Sequence, residues 1–165
     1  MLTTLVLQVE NKPGVLNRVA SLFRRRGFNI ESLSVGYTHE PGISRMTIVV
    51  DTDEDGALRL EANLYKLIDV IRVENLTRTA PVFRDLVIIK VASTPQTRAE
   101  LMQLAQVFRA RVLDVASDSL VFESTGAEEK VNSLIEVLRE YGILETARTG
   151  RIAMSRGTRS ESCAG

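Results

Sequence analysis

The sequence predicts an α+β fold made of two βαββαβ units in tandem. Three observations carry this expectation. Segments with the period of a half-buried strand and segments with the spacing of an amphipathic helix follow one another as β-α-β-β-α-β. The same order recurs in the second half of the chain. Between the two runs lies only a short stretch of mixed polarity with a proline, Thr77 to Arg84.

The elements follow in order. Thr4 to Val9 alternates Leu5, Leu7 and Val9 with more polar neighbours, as a strand with one buried face does. Pro13 and Gly14 break it. From Val15 to Arg26, Leu16, Val19, Ala20 and Phe23 recur at i, i+3, i+4 and i+7, one face of a helix that Gly27 ends. Strands over 29–38 and 44–50 follow, joined by His39-Glu40-Pro41-Gly42. A second helix carries Leu60, Leu64, Leu67 and Ile68 on one side, and a strand over 70–76 completes the unit. In the second half a strand over 86–92 precedes a helix with Leu101, Leu104, Ala105 and Phe108. Strands over 111–115 and 120–123 come next, then a helix with Val131, Leu134, Ile135 and Leu138, and a strand from Leu144. Each unit is the split β-α-β, or ferredoxin-like, arrangement, with two helices on one face of a four-stranded antiparallel sheet. The expected division is 1–77 for the first domain, 78–84 for a linker, 85–154 for the second domain and 155–165 for a disordered polar tail. One face of each sheet has no helix over it, and an uncovered, partly apolar face in so small a unit predicts dimers or larger assemblies.

Composition narrows the function classes. The 165 residues balance 21 basic against 21 acidic side chains, so no long-range field draws the chain to nucleic acid or an anionic membrane. No apolar run is long enough to span a bilayer and the start lacks a secretory pattern, which makes the cytoplasm the expected location. The single cysteine, Cys163, sits in the polar tail and is expected to be an incidental thiol. His39, the only histidine, lies in a turn and is expected to be solvated. No G-x-G-x-x-G, Walker-type loop or paired-histidine motif is present. Asp51, Asp53, Asp55 and Gly56 match the opening of a calcium loop, but its twelfth position is Ala62 in place of a bidentate carboxylate. Asp53 or Asp55 is therefore expected to cap the second helix, and no metal site is expected. The run Arg24-Arg25-Arg26 closes a helix, where positive charge is locally favourable, and the third strand, SRMTIVV, has none of the stacking aromatics of RNA-binding modules of this topology.

The feature that points to a ligand is an absence. Three helices are expected to open with a capping side chain: Asp53 or Asp55 at the second, Thr97 with Glu100 at the third, Thr125 with Glu128 at the fourth. The first opens with Lys12-Pro13-Gly14-Val15 and has none. The amides of Val15, Leu16 and Asn17 are then free to receive a carboxylate, and Gly14 lets it approach the backbone. Water on those amides, with Gly14 only making a turn, is the equal alternative. Asn11 and Asn29 flank this region and can donate and accept hydrogen bonds, so a small zwitterion with an apolar side chain suits it.

The stretch NKPGVLNRVASLFRRRGFNIESLSVG resembles the opening of an ACT domain, a small amino-acid-sensing module. Continued through SRMTIVV, LYKLIDVIRV, FRARVLDV and ARTG, the chain resembles the small-subunit family of acetolactate synthase (acetohydroxyacid synthase) from Leu2 to about Gly157. The resemblance implies a non-catalytic regulatory subunit that activates a separate large subunit and confers valine feedback in the biosynthesis of valine, isoleucine and leucine. It implies homodimers paired through the ACT domains. Asn11, Gly14, Val15 and Leu16 would line the carboxylate end of a valine site, and Asn29 and Ile30 of the second copy would close it. Thiamine diphosphate, magnesium and FAD would belong to the catalytic partner and none to this chain. A free-standing amino-acid sensor of another biosynthetic enzyme is the alternative.

Overall fold

The computed structural model describes residues 1–157. The expected tail lies outside the described residues from position 158 on, and Cys163 with it. Contacts divide the described residues into two compact units, one of Met1–Val82 with 153–157, the other of Phe83–Ile152.

The first unit runs β1 (Leu2–Glu10), α1 (Val15–Arg25), β2 (Ile30–Tyr37), β3 (Ile43–Asp51), α2 (Glu54–Leu64) and β4 (Val70–Asn75). Its sheet has the order β2-β3-β1-β4 with every pairing antiparallel. Alternation along β1 sends Leu5, Leu7 and Val9 to the helix side, where they meet Met46, Ile48 and Val50 of β3 and Val70 and Val73 of β4. Val15, Val19, Leu22 and Phe23 of α1 and Leu60 and Leu64 of α2 close this core. Helix α2 stops at Leu64, so Leu67 and Ile68 leave the predicted helical face; Leu67 packs on the core from the following turn and Ile68 is 92% exposed.

The other face of this sheet departs from expectation. Thr4, Val6, Thr47 and Val49 are buried, so its centre is covered although no helix lies there. Arg45, on the same face, donates to the Ala153 carbonyl at 2.8 Å, and Ala153 is itself buried. This contact with the chain returning at Ala153 is one that strand and helix periodicity could not foresee.

The second unit runs β5 (Val82–Ala92), α3 (Arg98–Val107), β6 (Arg111–Val115), β7 (Ser119–Gly126), α4 (Glu128–Arg139) and β8 (Ile143–Arg148); β9 (Ile152–Met154) follows. The strand order β6-β7-β5-β8 repeats that of the first sheet, but β9 also pairs with β5, so this sheet has five strands where four are expected. Val87, Ile89 and Val91 pack with Leu120 and Phe122 against Leu101 and Ala105 of α3 and Val131, Leu134 and Leu138 of α4. A buried acid anchors the sheet's edge: Asp85 receives Arg148 Nε at 2.5 Å, and the same guanidinium donates to Asn132 Oδ1 of α4 at 2.9 Å. The exposed pair Lys90–Glu145, at 3.2 Å, spans the same two strands.

These two ion pairs should differ sharply in their contribution to stability. Asp85→Ala leaves a partly buried guanidinium without its acid and is expected to cost about 3 kcal/mol, the low end for a broken buried pair because Arg148 keeps some access to water. Glu145→Ala is expected to cost under about 1 kcal/mol, as exposed pairs do. Urea unfolding followed by circular dichroism checks both, and equal effects would show that the Asp85 network is not the stronger tie.

Candidate effector site at the start of the first helix

Strand β1 is the centre of the first sheet, and its exit is held on both sides. The Glu10 amide donates to the Asp69 carbonyl at 2.9 Å and the Asn11 amide to the Gly42 carbonyl at 2.8 Å. The loop after Asn11 is thus pinned between the β2–β3 turn and the approach to β4. Lys12 N–H returns to the Glu10 carbonyl, and the chain then reverses into α1 through Gly14 at φ +85°. That left-handed torsion is what glycine tolerates and other L residues resist.

Beyond Gly14 the helix opens without a side-chain cap. The Arg18 amide closes the first helical turn on the Gly14 carbonyl at 3.0 Å. The Val15 amide, expected to be free, lies 3.4 Å from the Lys12 carbonyl, a long contact that half-occupies it. The amides of Leu16 and Asn17 have no acceptor among the described residues. Val15 is buried in the core, so it faces a ligand only through its backbone, whereas Leu16 is half exposed and Asn11 and Gly14 are exposed.

The capping contrast that singled out α1 needs correction. Asp53 does cap α2, accepting from the Gly56 amide at 2.7 Å. Thr97 does not cap α3: its hydroxyl is engaged with Thr94, whose amide donates to it at 3.0 Å. Thr125 lies in β7, and α4 opens from Ala127. A side-chain cap is therefore missing from three helices. What sets α1 apart is charge and shape: α2, α3 and α4 carry Glu54 and Asp55, Glu100, and Glu128 and Glu129 in their first turns, while α1 carries no acid there. Its positive end is unopposed by its own helix, and only it begins from a left-handed glycine.

Two ion pairs missed by sequence reasoning border the loop. Arg18, one turn into α1, reaches back over Gly14 and places Nη2 at 2.6 Å from Asp69 Oδ2, by distance an ion pair though not aligned as a hydrogen bond. Asp69 is buried within an otherwise apolar run, which was its only signal. Lys12 pairs with Glu10, and that hydrogen bond, with the carboxylate's charge, raises the ammonium above its ordinary pKa.

Asn29 and Ile30 are not near this point within one chain. Ile30 pairs with Val50, and Val50 with Thr3, which puts the start of β2 beside the start of β1. Glu10 and the effector loop are seven residues further along, roughly 23 Å at strand rise. Asn29 is exposed, and its amide group donates to Glu31 at 2.7 Å, leaving its carbonyl oxygen open. His39 is likewise exposed, and no group of three or more metal-ligating side chains occurs among the described residues.

Similarity to known proteins follows these two units. Residues 5–72 match the family model described as AHAS small subunit-like ACT domain, and residues 84–157 the one described as small subunit of acetolactate synthase. The probable acetolactate synthase small subunit of Archaeoglobus fulgidus is 51% identical, covering 94% of this chain and 98% of that protein. The acetolactate synthase small subunit of Bacillus subtilis is 46% identical, covering 95% of this chain and 92% of that protein. The crystal structure of the acetolactate synthase small subunit from Thermotoga maritima superposes with a TM-score of 0.89 at 37% identity, covering 96% of this chain and 99% of that one.

The turn itself can be tested without a ligand. Gly14→Ala has room, since an added Cβ would meet only Arg18 Nη1 at 3.7 Å. Its cost is therefore torsional, about 1–2 kcal/mol, and Gly14→Asn should recover part of it because asparagine tolerates this region. Urea midpoints of the three proteins give the comparison; an unchanged midpoint for alanine would mean that the loop relaxes out of the left-handed turn.

Proposed function

The chain belongs to the acetolactate synthase small-subunit family, and from that premise we propose that it is a valine sensor that activates the thiamine-dependent catalytic subunit and withdraws that activation when valine binds. The observation that carries the sensing role is the helix start: two amides without acceptors, no acid in the first turn, and an exposed left-handed glycine before them. A carboxylate there accepts from Leu16 and Asn17 N–H and lies in the favourable field of the helix end. Asn11 flanks it, and the exposed part of Leu16 offers apolar contact to a branched side chain.

The second half of the site comes from another copy. Asn29 and Ile30 sit at the far end of the sheet from Gly14, so two copies placed side by side in opposite directions bring each copy's Asn29 to the other's helix start. The edge position of β2 and the exposure of Val35 and Tyr37 on it are in keeping with such pairing. With its amide group held by Glu31, Asn29 presents a carbonyl oxygen suited to the ligand's ammonium. In this reading thiamine diphosphate, magnesium and FAD serve the catalytic subunit, whose pathway makes valine, isoleucine and leucine. Coupling between valine and that subunit is reciprocal by thermodynamic linkage.

Two measurements bear on the reading. Sedimentation with valine present is expected to return at least a dimer, and a strict monomer would remove the composite site. Gly14→Asp should weaken valine binding by at least about tenfold while activation of the catalytic subunit stays within about twofold of the parent. A carboxylate about 4 Å from the ligand's own costs about 4 kcal/mol at an effective dielectric near 20, and even a third of that is tenfold in affinity. Calorimetry on the dimer and a reconstituted assay read the two effects separately; unchanged valine affinity would place the carboxylate elsewhere.

A further inference from the structure

The arginine run at the end of α1 is more than a helix-end effect. Arg25 and Arg26 line a depression of about 290 Å³ together with Leu22, Asn63, Lys66 and Leu67. Arg26 and Asn63 also border a second one of about 250 Å³, with Phe28 and Arg59. Among the described residues none of these four cations has a carboxylate partner. Within the same unit Lys12, Arg18, Arg72 and Arg78 each have one, while Arg45 donates to a backbone carbonyl and Arg24, the first of the run, has none among the described residues. Two of the unpaired cations converge: Arg26 Nη2 donates to Asn63 Oδ1 at 2.8 Å, and Lys66 Nζ lies 3.5 Å from the same oxygen. One neutral amide oxygen thus holds two like charges together.

Magnitudes decide whether local effects suffice. Each helix C-terminus supplies roughly half a negative charge, so the ends of α1 and α2 offset about one of the four positive charges. About three remain on a chain whose total is zero. Arg25 and Arg26 come from the end of α1, Arg59 from within α2 and Lys66 from the turn after it, and they are spread over two depressions, so several carboxylates suit them better than a single carboxylate or phosphate. The surface is also partly apolar, with Leu22 and Leu67 lining the first depression and Phe28 the second. Cations mixed with aliphatic and aromatic side chains suit a protein partner. A chain of zero net charge is poorly suited to hold nucleic acid.

Resting on the regulatory reading above, we propose that this basic face between α1 and α2 docks an acidic segment of the catalytic subunit that carries more than one carboxylate. The face contains none of the effector-loop residues, so its disruption acts on partner affinity. Two reversals, Arg59→Glu of α2 with Lys66→Glu of the turn after it and Arg25→Glu of α1, are titrated separately as full-length chain into the catalytic subunit at low and high salt, with thermal melts confirming folding. The expected result is a half-activating concentration raised at least about tenfold at low salt, about 1.4 kcal/mol, an unchanged plateau at saturation, and a weaker salt dependence than the parent's. Half-activating concentrations within about twofold of the parent in every folded variant would overturn the proposal. So would calorimetric binding of inorganic pyrophosphate, or a gel shift with single-stranded oligonucleotide, that the reversals abolish while activation stays intact. A parent chain that neither binds nor activates the catalytic subunit defeats the regulatory reading itself, and this proposal with it.

Discussion

The left-handed turn at Gly14 is the constraint on which the first unit's chemistry depends. Strand β1 occupies the centre of the sheet, and its exit is held by hydrogen bonds to the carbonyls of Gly42 and Asp69. The chain must reverse at once to lay Val15, Val19, Leu22 and Phe23 over that sheet. The positive φ of Gly14 makes that reversal, and the helix it opens leaves the Leu16 and Asn17 amides without acceptors among the described residues. Core packing and an open anion-receptive end are therefore two consequences of one backbone geometry.

The second unit solves the same topological problem differently. At the corresponding place Thr94 and Thr97 exchange backbone and hydroxyl hydrogen bonds, so side chains stabilise the turn that precedes α3. Glu100 then sits in the first turn of the helix. An acid there and hydroxyls before it make this start self-sufficient where that of α1 is not. The strongest local electrostatics of the second unit lie instead at its sheet edge, where Asp85 and Arg148 tie β5 and β8 to Asn132 of α4. Shared topology with unlike helix starts is what a division between sensing and structural roles would require.

The fold was legible because both periodicities are clean. Leu5, Leu7 and Val9 at period two and Leu16, Val19, Ala20 and Phe23 at helical spacing leave little choice of element, and repetition of the order supplies the second unit, but the buried face of α1 is rotated from that reading to Val15, Val19, Leu22 and Phe23, with Leu16 half exposed. Cap identity was less legible. A threonine hydroxyl before a helix has several backbone partners in reach, and at Thr97 the competing turn with Thr94 wins. Leu67 and Ile68 were misplaced because apolar spacing continues past the residue where the helix unwinds, and sequence alone does not mark that point. Of the site, Gly14, Leu16 and Asn11 could be read from one stretch of chain. Arg18 and Asp69 could not be paired, since their contact joins α1 to a segment about fifty residues away through the fold.

Helix α1 connects the two surfaces that the proposed function uses. Gly14 and the free amides stand at its amino end, Arg25 and Arg26 at its carboxyl end, and its 11 residues span about 16 Å. A helix of that length, clamped by four buried side chains, moves as a body more readily than it bends. In the proposed reading, an anion drawn to the amino end changes the position or stiffness of the whole helix, and the basic face at its other end feels the change. A displacement of under 1 Å is enough when the partner's carboxylates must meet several cations at once, because each charge-assisted contact weakens steeply with misalignment. Coupling of this kind needs no pathway through the core: one rigid element borders both sites, and a ligand that prefers one of its positions shifts the affinity of the other site by the same factor.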